Sequence, residues 1–329
     1  MRTVRLAAVA LAAILALGLA LAGVAVWGPG PTRSGQRSAT TVVLRPGEGV
    51  GAIARDLAAA HVVSVPALFV VAAEAFGAAA RLKAGEYAFA PGASLASVIA
   101  AIRDGAVVRH FVTIPEGLSS VAVADLLSAD PVLTGPTPTV PEGAVLPETY
   151  EVRRGETRAD VVARMRRARD RLVAQLWRER APGLPLRTPE EAVILASVVE
   201  KETALPGERP RVAAVFVNRL ERGMRLASDP TVIYGLTRGR PLGHGLTVSE
   251  LAQVTPYNTY RVAGLPPTPI ANPGRAALEA AVRPAATQDL YFVADGTGGH
   301  AFSATLADHE RNVARWRAIE RADAGKAPA

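Results

Sequence analysis

The chain has 329 residues, a formal charge of +7 and no cysteine. That length suggests two or three domains, and with 49% hydrophobic residues there is enough apolar material for packed cores. The missing cysteine excludes disulfides, thiolate metal sites and lipid attachment through a cysteine of this sequence. The positive balance favours anionic partners. It is spread through arginine, however, with lysine only at Lys83, Lys201 and Lys326. The one dense run, Arg164-Met-Arg-Arg-Ala-Arg169, reads as the exposed face of a helix, so nucleic acid is not expected as a partner.

Arg2 and Arg5 precede an uncharged run over residues 6–27, long enough for the roughly 20 residues of a membrane span. Arginine before the run and none directly after it predict a cytoplasmic stub at 1–5 and a single-pass anchor in the inner membrane. The remainder is then expected on the outer, periplasmic side. Ala20-Leu-Ala22 also resembles a signal cleavage site, which leaves a removed leader as the alternative. Residues 28–40, rich in Gly, Pro, Ser and Thr, read as a linker.

A unit then recurs. Val42-Val-Leu-Arg-Pro46, Tyr87-Ala-Phe-Ala-Pro91, Phe111-Val-Thr-Ile-Pro115 and Tyr150-Glu-Val-Arg-Arg154 are short alternating stretches. Each leads through a Pro- or Gly-bearing turn into an amphipathic helical pattern, a strand–turn–helix unit used four times. With a second helix at 65–76, residues 41–108 read as strand, helix, helix, strand. That order resembles a LysM-like module, a class that binds N-acetylglucosamine-containing glycans, and it equally suits a purely structural small domain. The fold class expected is α+β with small sheets.

Residues 131–146 read as loop, and a long Arg-rich helix follows over 159–180. The next helix, 188–203, has its start written out: Thr188 as N-cap, Pro189 at the first helical position and Glu191 three residues on, as in a capping box. Its body, 192–199, is apolar almost all round, which predicts burial on most of its circumference. Glu200, Lys201 and Glu202 end it. A carboxyl carried on a buried helix into a cleft has its pKa raised by desolvation, as a general acid requires. Periodicity does not choose between Glu200 and Glu202, and the alternative is a charged cluster that merely solvates a helix end.

Beyond a turn at 206–210, residues 211–222 read as a helix bearing Asn218 and Arg219. Asp229-Pro230 is a turn or helix-start signal, which makes Asp229 a candidate N-cap. Residues 255–274 hold too many prolines for helix or central strand. Tyr257, Asn258 and Tyr260 in that loop offer stacking faces and amide hydrogen bonds suited to sugar rings; the alternative for a Tyr-Pro loop is hydrophobic packing over a core. A helix at 275–282, a hairpin from 289–294 and 300–303, and a helix at 306–321 complete the chain. His300 and His309 are too far apart for a metal pair on one helical turn, and no phosphate loop or Gly-x-Ser-x-Gly occurs, so no metal and no cofactor are expected.

Val198-Val-Glu-Lys-Glu-Thr203, Phe216-Val-Asn-Arg-Leu220, Gly223-Met-Arg-Leu226, Ser228-Asp-Pro-Thr-Val-Ile-Tyr234, Tyr257-Asn-Thr-Tyr260, Gly264-Leu-Pro-Pro267, Ile270-Ala-Asn-Pro273, Tyr291-Phe-Val-Ala294 and Gly299-His-Ala-Phe302 stand in order. Together they resemble the endolytic murein transglycosylase family (YceG-like). The loop Ala144-Val-Leu-Pro-Glu-Thr-Tyr150 and Thr255 before Pro256 depart slightly from the family pattern. The resemblance implies a catalytic domain over 109–322 with a tail at 323–329, and it places the catalytic glutamate at Glu200. It also implies a single N-terminal anchor. The implied reaction is cleavage of the β-1,4 bond from N-acetylmuramic acid to N-acetylglucosamine in glycan strands near the membrane, giving 1,6-anhydro-muramic ends. Glycan strands are the expected partner, peptidoglycan synthases are left open, and Asn218, Asp229, Tyr257, Asn258 and Tyr260 are the candidates for holding sugar, Asp229 also as a charge partner. A non-catalytic, membrane-anchored glycan-binding scaffold is the other reading.

Overall fold

The structure, a computed structural model, describes residues 2–32 and 37–324. Its elements run α1 (Arg2–Trp27), β1 (Thr40–Leu44), α2 (Val50–Ala59), α3 (Pro66–Ala75), a 3₁₀ turn, β2 (Gly85–Phe89) and α4 (Leu95–Asp104). Then come β3 (His110–Thr113), α5 (Ser120–Ala129), β4 (Thr149–Val152), α6 (Arg158–Arg178), α7 (Pro189–Glu202) and α8 (Arg209–Glu221). The chain closes with α9 (Asp229–Thr237), α10 (Val248–Ala252), α11 (Arg275–Val282), β5 (Tyr291–Ala294), β6 (His300–Ser303) and α12 (Leu306–Ala324). The strands pair as β1–β2, β3–β4 and β5–β6, so the class is α+β with small sheets.

The recurring unit is present. β1, β2, β3 and β4 each pass through a turn into α2, α4, α5 and α6. Every one of those turns has a glycine at positive φ, Gly47, Gly92, Gly117 and Gly155, where a side chain would be strained. In three units a hydroxyl then caps the helix: Ser94, Ser119 and Thr157 accept the N–H of Ser97, Ala122 and Asp160. Each such cap stabilises its helix by about 1 kcal/mol.

The N-terminal expectation needs correction. Among the described residues no helix is long and apolar enough to cross a membrane. Residues 6–8 and 10 of the expected span, like the tail at 325–329, lie outside those whose side chains are described. The single-pass anchor, and the inner-membrane placement inferred from it, are therefore not supported.

The chain divides into two compact units: Met1–His110 with Glu151–Arg154, and Phe111–Tyr150 with Gly155–Ala329. In the first, the antiparallel β1–β2 pair (Thr40 opposite Phe89, Leu44 opposite Gly85) and helices α2, α3 and α4 enclose Leu44, Leu57, Phe69, Tyr87, Ile99 and Ile102. The Tyr87 hydroxyl, inside that core, donates to the carbonyl of Lys83 at 2.8 Å.

The second unit is built around α7. Residues 192–199 are all buried, as the apolar run predicts, and all but Ile194 and Ser197 join Leu176 of α6, Phe216 of α8 and Leu278 of α11 in one cluster. Thr188 caps the helix by accepting the Glu191 N–H, but the Glu191 carboxylate takes the N–H of Arg187 at 2.5 Å, so the box closes one residue early. Helix α8 starts at Arg209, with Pro210 in its first turn. Ser228, not Asp229, occupies the N-cap position of α9. The short α10, with a capping box from Thr247 and Glu250, is an element the sequence reading did not contain.

Candidate active site

Helix α7 delivers two carboxyls from a packed body, every residue from Ala192 to Val199 being buried. The Glu200 side chain is 4% exposed. Its Oε1 accepts from Arg209 Nη2 at 3.1 Å, and its Oε2 accepts the N–H of Gly274 at 2.9 Å. The same Arg209 Nη2 reaches Glu116 Oε2 at 3.4 Å. Burial pushes the Glu200 carboxyl above the ordinary carboxylate range; the Gly274 N–H and Arg209 pull against this, while the charge of Glu116 adds to it. Lys201 points its amino group at the Gly117 carbonyl, 3.4 Å away.

Glu202 meets different partners. Its Oε1 accepts from the Ser228 hydroxyl at 2.5 Å. Ser228 consequently gives no side-chain cap to α9. Burial raises Glu202 as well; the Ser228 bond opposes that, the Asp229 charge reinforces it, and the more distant His300 and Arg219 pull it down.

The backbone that reaches Glu200 is held by a buried amide. Asn272 is fully buried, and its Oδ1 accepts the Val145 N–H while its Nδ2 donates to the Leu118 carbonyl at 3.0 Å and the Ser120 hydroxyl at 3.1 Å. Its main chain pairs with the same segment: Gly117 N–H to the Asn272 carbonyl at 3.0 Å, Asn272 N–H to the Leu118 carbonyl at 2.9 Å. From below, buried Ser197 on α7 accepts the Ile270 N–H at 3.0 Å. Both strands of this crossing are pinned, so Gly274 and Glu116 arrive at Glu200 from fixed backbone. The Glu142 carboxylate joins the network through the Ser120 N–H at 2.8 Å, and burial raises its pKa.

Beside this crossing lies a cavity of about 440 Å³, bordered by Gly117, Leu118, Lys201, Ile233, Tyr234 and Ile270 among others. Tyr234 packs on Tyr257 with ring centroids 5.1 Å apart, and burial, followed by the Glu142 charge, pushes its phenol up to about 12.

The residues expected to hold sugar fall into separate places. Tyr260 donates to Asp229 Oδ1 at 2.7 Å, and both keep solvent-accessible surface on the Glu202 side. Tyr257 is buried, its hydroxyl bonded to that of Thr268 at 2.9 Å. Asn258 is fully buried, its Nδ2 donating to the carbonyls of Leu251 and Gln253 and its Oδ1 accepting the Tyr260 N–H. The Asn218 amide is engaged by the carbonyls of Thr287 and Asp289. Both asparagines thus hold loops and have their amide hydrogens committed to backbone.

The sequence pattern of the YceG-like family matches residues 42–315, a stretch that contains every element from β2 to β6. The chain belongs to the YceG-like family. Over 180 residues it is 34% identical to an endolytic murein transglycosylase of Streptococcus pneumoniae serotype 2 (strain D39 / NCTC 7466), covering 53% of this chain and 32% of that protein. Over 119 residues it is 41% identical to one of Bacillus subtilis (strain 168), covering 36% and 32%. The chain thus spans about a third of the length of these curated relatives. A crystal structure of a yceG-like protein from Listeria monocytogenes superposes with a TM-score of 0.52 at 26% identity, over 84% of this chain and 99% of that one.

Within this YceG-like chain the structure adds Glu116, Arg209, Asn272, Gly274 and Ser228 to the residues singled out from sequence. Glu116 had a faint signal, since its turn is the one among the four repeated units that places a glutamate directly before the positive-φ glycine. Arg209 had none. A buried arginine beside a proline reads as turn until the fold supplies two carboxylates to face it.

Proposed function

We propose that this chain is an endolytic peptidoglycan lytic transglycosylase, with Glu200 as its general acid and then its base. The name carried by the relatives supports the reaction class. The observation that carries the residue is the Glu200 carboxyl, 4% exposed, held between one guanidinium and one backbone N–H beside a cavity wall.

In the first half of the reaction, protonated Glu200 gives its proton to the glycosidic oxygen as the C1–O bond of N-acetylmuramic acid breaks and N-acetylglucosamine leaves. In the second, the C6 hydroxyl of the same muramic residue attacks C1, and the Glu200 carboxylate takes the hydroxyl proton. A 1,6-anhydro ring forms, Glu200 is protonated again, and no water is consumed. Burial favours the protonated starting form, while Arg209 and the Gly274 N–H stabilise the carboxylate between the two halves. Proton transfer by a positioned group contributes about 100- to 10,000-fold. One carboxyl suffices where a hydrolase would need two. The accessible surface of Tyr260 and Asp229 supports a role in holding sugar, while buried Tyr257 and the committed amides of Asn218 and Asn258 support a role through the loops they hold.

Mass spectrometry of glycan fragments, wild type beside Glu200→Gln, tests the reading. Anhydro-ended fragments from wild type alone are expected. Reducing-end fragments would mean hydrolysis, and equal anhydro product from both proteins would remove Glu200 from the chemistry.

A further inference from the structure

Arg209 faces two carboxylates with one amino group: its Nη2 lies 3.1 Å from Glu200 Oε1 and 3.4 Å from Glu116 Oε2. Its side chain is 9% exposed, and its Nε is buried with no hydrogen-bond partner, so no other acceptor shares the guanidinium from that side. The two acids differ in setting. Glu200 is 4% exposed and Glu116 is 41% exposed. Both also meet at Gly274, whose N–H donates to Glu200 and whose missing side chain makes room for Glu116. A Cβ there would lie 1.9 Å from Glu116 Oε1. Gly117, the next residue, adopts φ +75° and passes so close that a Cβ on it would touch Glu200 Cγ at 3.4 Å. Two glycines thus bring a second carboxylate against the arginine that Glu200 uses.

We propose that Glu116 is a positioning residue, competing with Glu200 for the single guanidinium of Arg209 and so setting how readily Glu200 holds its proton. This rests on the assignment of Glu200 as the acid for its catalytic meaning, though not for its electrostatics. An arginine paired with Glu200 alone would favour the carboxylate and disarm the acid at the start of the reaction. A second negative charge on the same guanidinium restores the proton without removing the cation that the carboxylate needs half a cycle later. The other charged or polar groups around Glu200 do not duplicate this role. Lys201, on its own helix, is directed to the Gly117 carbonyl; Gly274 offers a neutral N–H; Arg275, next along α11, is paired with Glu279 at 3.9 Å.

The test is a titration of the Glu200 carboxyl by ¹³C NMR in the full chain labelled at glutamate side-chain carboxyls, with Glu200→Gln to assign the signal. The midpoint should fall in the order wild type, Glu116→Asp, Glu116→Gln, because aspartate withdraws the charge from Arg209 and glutamine abolishes it. Should Glu116→Gln not fold, wild type against Glu116→Asp decides. A midpoint that stays or rises in the variants overturns the inference. In glycan cleavage, Glu116→Gln should move the alkaline limb of kcat/KM to lower pH, each unit of movement costing about tenfold at neutral pH. A uniform loss at every pH together with an unmoved midpoint would mean a structural role only. A lowered midpoint with an unmoved limb would keep the inference and take the acid role from Glu200.

Discussion

At the end of α7, Glu200 turns toward Arg209 and the N–H of Gly274, while Glu202, two residues on, turns toward Ser228 with Asp229 nearby. Two residues are about 200° of helix, so the pair looks to opposite sides of one cylinder. Burial raises both acids. What separates them is the donor within hydrogen-bond reach. Glu200 has a cation and a backbone N–H in contact, so it can lose its proton and remain where it is. Glu202 has a hydroxyl in contact and an aspartate whose charge opposes its ionisation. A group that must serve as acid and then as base needs the first environment, and burial alone does not provide it.

The comparison breaks most directly in activity. Glu200→Gln should reduce glycan cleavage about 1,000-fold or more, whereas Glu202→Gln should keep it within about tenfold. Fragment yields at equal protein concentration check this, and the reverse pattern would exchange the two roles.

Asn272→Ala comes next. It strips the Glu200 side of the amide that pins Leu118, Ser120 and Val145 and leaves the Glu202 side untouched. A loss of about 2–4 kcal/mol is expected for a buried network left with unpaired groups. At about 2–4 °C per kcal/mol, thermal melting should register the drop plainly.

Acidity sharpens the contrast further. A carboxyl raised on folding favours the protonated native state, so its contribution is fully present below the unfolded pKa and is lost as pH rises through the folded one. Glu202→Gln should therefore melt higher than wild type at neutral pH, and the gap should close as pH falls toward the ordinary carboxylate range. A gap that is constant with pH would show that Glu202 is not strained by its charge. The smallest effect belongs to Thr188→Ala, which removes the cap at the far end of α7. It should cost about 1 kcal/mol in a denaturant melt and disturb neither carboxyl selectively.

Much of the fold was legible because local rules were obeyed. The alternating stretches, the Pro- or Gly-bearing turns and the amphipathic patterns after them announce the four strand–turn–helix units, and the apolar body of α7 announces its burial. Boundaries slipped where a polar residue found a partner off its own element. Ser228 holds the cap position of α9 yet bonds to Glu202, and Glu191 bonds one residue before the cap. The site was legible only in part. Glu200 and Glu202 were visible as a pair, and the Tyr-Pro loop was visible as unusual. Asn258 and Asn218 looked like sugar ligands because an exposed and a loop-bracing amide have the same one-letter code.

By itself the sequence determined the family, the α+β class, the buried helix and the pair of glutamates at its end, since these follow from periodicity, capping and motif order along the chain. Which of the two acids has a cation in hydrogen-bond contact, that Glu116 shares that cation, and that Asn272 locks the crossing were decided by tertiary structure alone. Glu116 and Gly274 are far in sequence from each other and from the Glu200 and Arg209 pair, and the electrostatics of a carboxyl depend on what folding packs within a few ångströms of it.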